Sequence, residues 1–104
     1  MSEIISIEEA KEYTARFRSN RDKMLTEAFQ GALPFSETFN AEDVQSILQQ
    51  EGCVSFRTYF GMNDKNEVCI IMVGVDEDNE DILTNGILID KGTRCPDICN
   101  YQPL

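Results

Sequence analysis

From Ile7 to Phe17 apolar side chains recur at helical spacing, with Ile7, Ala10, Tyr13, Thr14 and Phe17 on one stripe. Ser6-Ile7-Glu8-Glu9 reads as a capping box, the Ser6 hydroxyl accepting from the Glu9 amide while Glu9 reaches back. Such a stripe is expected to face the core. Ser19-Asn20 interrupts the pattern. Asn20 can cap a second short helix carrying Met24, Leu25, Ala28 and Phe29, with Gly31 ending it. A single bent helix from Ile7 to Gln30 is the alternative. Ala32 to Phe39 reads as an extended connection whose aromatics, Phe35 and Phe39, pack inward. Asn40 then caps a third helix with Val44, Ile47 and Leu48 on one face, closed by Gly52.

Beyond Cys53 the period switches to two. Val54, Phe56 and Phe60 alternate with Ser55, Arg57 and Tyr59. Asn63-Asp64-Lys65-Asn66 suits a type I turn with Asn66 left-handed. Glu67 to Val75 is apolar on both faces and predicts a central strand. Asp76-Glu77-Asp78-Asn79 repeats the turn chemistry. Glu80 to Thr84 is expected to return as a strand, Asn85-Gly86 to turn again, and Ile87 to Asp90 to form the last strand. The pattern predicts one α+β domain over residues 1–104. Two or three N-terminal helices pack on a C-terminal antiparallel meander of three to four strands. The helices cover one sheet face. Apolar side chains on the other (Tyr59, Ile71, Val73, Leu83 or Leu88) need a cover from the C-terminal tail or a second copy of the chain.

Composition narrows the function classes. At 104 residues the chain has the length of one domain, and 41% apolar residues suffice for a core. A formal net charge of -10 argues against nucleic acid and against anionic membrane surfaces, but permits a basic protein partner. Five of the nine basic residues lie between Lys11 and Lys23, spread around the predicted helices as a solvated surface. The first residues lack the basic and apolar regions of a signal peptide, so a cytoplasmic location with reduced thiols is expected. Histidine is absent, which removes Ser-His-Asp and Cys-His nucleophile systems and histidine zinc sites. No cofactor is implied.

The chemical lead is Cys95-Pro96-Asp97-Ile98-Cys99. Pro96 and Asp97 suit the first turn of a helix, which would place Cys95 at its N-terminus and lower the thiol pKa. Cys95 and Cys99 are thus the candidates for a redox pair or half a metal site. The alternative is two small apolar anchors of a loop-rich tail. A zinc site of all four cysteines is rejected. With Cys69 opposite Gly61, Cys53 falls on the same face but roughly 26 Å away. Asp76 to Asp81 lacks the glycine and glutamate of a calcium loop and reads as a solvated turn. Asp81 is expected to face Asp90 across the last hairpin. For an enzyme, the residues to name are Arg57 and Tyr59 on one strand face.

Several stretches resemble a family of short uncharacterised bacterial proteins. They are Ser6 to Tyr13, Gly52-Cys53-Val54, Tyr59-Phe60-Gly61, Val73-Gly74-Val75-Asp76, Asp90-Lys91 and the ending Cys95-Pro96-x-x-Cys99. Some members carry His-Pro near Asn20-Arg21, where this chain does not. The resemblance implies no activity, ligand or fold. The expectation is therefore a non-catalytic binding or interaction module, with the uncovered sheet face available for a homodimer. A thiol-based role of Cys95 and Cys99 is the alternative.

Overall fold

The structure, a computed structural model, describes residues 2–83, 87–90, 92–95 and 104. Helix α1 spans Ile7–Asn20, and Ser6 accepts from the Glu9 amide at 3.1 Å as the capping box predicts. Helix α2 spans Ala41–Leu48. Between them neither a second α-helix nor one bent helix forms. Two 3₁₀ turns, Asp22–Met24 and Glu27–Phe29, lead to Gly31 at φ 81°. Asn20 does not cap a helix, because its amide bonds back to the Arg16 carbonyl at 2.8 Å.

Strands β2 (Ser55–Met62), β3 (Val68–Val75) and β4 (Leu88–Ile89) form an antiparallel sheet in that order, so the apolar run is the central strand as predicted. Glu80 to Thr84 was expected as a further strand. Asp81 instead makes a single bridge to Val75, and β4 takes the place beside β3 at Met72 and Val73. The Asn85-Gly86 turn lies outside the described residues. A second small sheet, unforeseen, pairs β1 (Ser36–Thr38) with β5 (Thr93–Cys95).

Two loops repeat one backbone clip. Asn63 Oδ1 accepts from the Lys65 and Glu67 amides at 2.9 and 3.0 Å, and Asn66 takes φ 62°. Asp76 Oδ1 accepts from the Asp78 and Glu80 amides at the same distances, and Asn79 takes φ 64°. Asx side chains favour these turns because they mimic a backbone acceptor and tolerate the left-handed region.

Helix α2 packs against β2, β3 and β4 through Ile47. Gly74 is what lets it approach. A Cβ there would lie 2.7 Å from the Gln50 carboxamide and 3.5 Å from Ile47 Cγ2. With its amide oriented to match its neighbours, Gln50 accepts from Ile87 N–H at 3.0 Å and donates to the Ile47 carbonyl at 3.2 Å, tying the helix end to the entry of β4. Among the described residues the buried apolar side chains are Ala32, Ile47, Val73, Val75, Ile89 and Cys95.

The stripe of α1 does not enter this core. Ala10, Thr14 and Phe17 are half-buried, while Ile7 and Tyr13 are exposed. Helical spacing predicts an apolar face but not what lies against it; among the described elements α1 meets chiefly the 3₁₀ turn that follows it, and its Thr14 and Arg18 donate to the Leu104 carbonyl at 3.2 and 2.7 Å. Arg21 departs from the solvated set. It is buried, donates to the Leu33 carbonyl, pairs with Asp22 at 3.1 Å and lies 4.7 Å over the Phe35 ring.

Candidate functional site

A polar recess of about 330 Å³ opens where the two sheets meet. Glu37 of β1, Glu67 and Cys69 of the β3 arm, Asp90, Gly92 and Arg94 of β5 line it, beside the tip of the β2–β3 hairpin. Glu37 and Arg94 are register partners across β1 and β5, which is why both reach it. Arg94 donates to the Val68 carbonyl and, at 3.3 Å, to the Ala32 carbonyl, and its Nε lies 3.9 Å from Glu67. The Ala32 carbonyl also accepts from the Val68 amide at 2.7 Å. Arg94 therefore locks the small sheet onto the edge of β3.

Glu37 is the anomaly. Both its carboxylate oxygens are buried, and among the described residues neither has a hydrogen bond of normal geometry, the nearest donor being the Ile70 amide. Burial pushes its carboxyl above the ordinary glutamate range, and Asp90 adds to that, against the opposing pull of the Ile70 amide and Arg94. Burial likewise raises the Cys69 thiol, as do the Asp90 and Glu37 carboxylates, which favours its protonated form.

The raised pKa sets the sign of a pH effect. Glu37 contributes fully to stability below the ordinary carboxyl range, and the contribution is lost as pH rises through its higher folded value. Glu37→Gln is therefore expected to raise the melting temperature at pH 7 and to change it little near pH 4. Thermal melts at the two pH values check this, and equal shifts would refute it.

Gly92 sits at the same place for a steric reason. A Cβ would lie 2.8 Å from Phe39 Cζ and 3.1 Å from Glu37 Oε2. The added Cβ would meet a ring edge and a carboxylate at sub-contact distance, so Gly92→Ala is expected to cost about 1–3 kcal/mol in urea unfolding. A loss within experimental error would mean that the ring moves freely.

The candidate enzyme residues Arg57 and Tyr59 do meet, around Asp81. Arg57 donates to Asp81 Oδ1 at 2.5 Å and to Asn79 Oδ1 at 2.8 Å, and the Tyr59 hydroxyl donates to Asp81 Oδ2 at 2.5 Å. The expected Asp81–Asp90 pairing is overturned. Asp81 bridges Val75 at the Arg57 end of the sheet, whereas Asp90 lines the recess near Cys69. The three polar groups satisfy one another and pin the Asp76–Asp81 loop to β2.

Cys95 ends β5, buried and disulfide-bonded, while Cys53 and Cys69 are free. The expectation of four free thiols fails at Cys95, since it rested on compartment and not on geometry. The Pro96-Asp97 turn and Cys99 lie outside the described residues. Cys69 stands opposite Gly61 as expected, but Cys53 precedes β2 and lies by Gly74 on the opposite face. The described residues contain no group of three acidic or sulfur ligands placed to hold a metal, and no helix long and apolar enough to cross a membrane.

The sheet carries an exposed apolar surface. Phe60 is 80% exposed, and Phe56 and Met62 of the same strand face are exposed too. Tyr59, Leu83 and Leu88 are exposed as well, with Tyr59 and Leu88 on the face opposite α2. Asn63 N–H bonds to the Glu67 carbonyl at 3.0 Å, so by alternation the amides of Phe56, Thr58, Phe60 and Met62 point to the free edge of β2. That edge holds no proline, and its one charge, Arg57, turns in toward Asp81. Comparison with known proteins finds no matching family model, no matching curated protein and no matching solved structure.

Proposed function

We propose that this chain is a non-catalytic interaction module that pairs with a second copy of itself along β2. The observation that carries the reading is its accessible area. The chain presents 7978 Å², against roughly 5,900 Å² for a monomeric protein of its mass, an excess of roughly 2,000 Å². An obligate dimer buries on the order of 1,000–2,500 Å² per subunit, so the excess is the size of such an interface. A radius of gyration of 15.5 Å, against about 13 Å for a compact domain of this length, agrees. Two β2 edges related by a two-fold axis would complete each other's backbone hydrogen bonds and cover Phe60 and Met62. The strand's one charge, Arg57, is paired with Asp81 of its own chain. Sedimentation equilibrium across micromolar concentrations should give twice the 11.8 kDa chain mass. A monomer throughout would overturn the reading.

A second reading, thiol redox at Cys95 with Cys99 as the other sulfur, is favoured by the disulfide at Cys95. There the disulfide takes two electrons and two protons from a dithiol donor and becomes two thiols. Mass spectrometry after alkylation in dithiothreitol redox buffers tests it. A bond that resists reduction until the fold is lost would reject it.

A further inference from the structure

The recess beside Glu37 has no part in the self-pairing surface. Its chemistry is lopsided. A buried carboxylate with only the Ile70 amide nearby, and no hydrogen bond of normal geometry, is costly and needs an explanation in a native fold. Arg94 does not supply one, since its guanidinium is directed to the Val68 and Ala32 carbonyls and to Glu67. Asp90 adds a second carboxylate close enough to raise the pKa values of both Glu37 and Cys69. A metal ion does not fit, for the described residues hold no suitable set of three ligands. An anion does not fit either, because carboxylates outnumber cations among the described lining residues. The volume, about 330 Å³, is at the small end for an organic ligand.

We propose that this recess binds a small organic molecule through a protonated primary amine, whose N–H groups donate to the Glu37 carboxylate with Asp90 beside it. The amine meets what the site lacks, since it brings positive charge and up to three donors in one compact group. Gly92 fits the same role. With no side chain, it leaves room for the Glu37 carboxylate, which a Cβ would crowd at 3.1 Å.

The test is an amide NMR titration of the full chain with propylammonium. Tetramethylammonium serves as a cation without N–H donors, and 1-propanol as a neutral analogue. Saturable shifts centred on Ile70, Gly92 and Asp90 are expected at about 10 mM propylammonium. Both controls should bind about tenfold more weakly, as should the Glu37→Gln variant. That variant keeps the side-chain shape, and its melting curve shows independently that it is folded. Three results would each overturn the proposal: no saturable shift at these residues, equal binding of tetramethylammonium, or unchanged affinity in folded Glu37→Gln. Loss of self-pairing in other variants would leave the outcome untouched, since β2 and the recess share no lining residue.

Discussion

Replacing Ile47 by alanine is expected to lower the unfolding free energy by about 3 kcal/mol, within the range for emptying a packed core site. Ile47 is 1% exposed and is the one buried residue of α2. It reaches the sheet over Gly74, so the cavity opens between the helix and the strand beneath it. The core among the described residues is small, and a domain of this size has roughly 5–15 kcal/mol in total, so the loss is a large share. Urea unfolding followed by circular dichroism measures it. Leu48, the next residue on the same helix, is 46% exposed, and Leu48→Ala should shift stability by no more than about 0.5 kcal/mol. Equal effects at the two positions would show that α2 is not anchored through Ile47.

The second large effect concerns association. Phe60→Lys is expected to weaken self-pairing by about a hundredfold or more, since an aromatic anchor is lost and two like charges meet across the two-fold axis. Phe60 is already solvent-exposed within one chain, so folding of the monomer should change little. Met24→Lys is the matched control: Met24 is also exposed but lies in a 3₁₀ turn away from the sheet. Sedimentation of the three proteins at equal concentration gives the comparison. If Phe60→Lys and wild type share one mass, the β2 edge is not the contact.

What could be read from the residues was local. The Ser6 cap, the central strand and the left-handed Asn66 and Asn79 each depend on a few neighbouring side chains, and each is found in place; Gly52 takes the left-handed region but in a turn beyond α2, whose C-cap is Gln49. What could not be read was non-local. Ser36 to Thr38 has no strand signal of its own and becomes a strand only because residues 93–95 arrive beside it. The recess inherits that difficulty, since Glu37 and Arg94 face each other only through this pairing. Pairs of charged residues in separate extended segments were the available hint, and it is too common to single out two. Arg57 and Tyr59 were legible as a pair on one face, but their shared partner Asp81 was not, because it required the Glu80 to Leu83 stretch to depart from strand geometry.

The β1–β5 pairing also carries a kinetic meaning. Thr38 meets Thr93, 55 residues later, whereas Met62 meets Val68 across a short clip. Closing the longer loop sacrifices more chain entropy for only three residue pairs, so this ribbon should assemble last and part first. Amide exchange at residues 36–38 and 93–95 should then outpace that of β3 by orders of magnitude, through openings that leave the larger sheet intact. The chain would thus possess a hinge-like door of its own, whose opening exposes the Glu37 carboxylate to water without melting the rest.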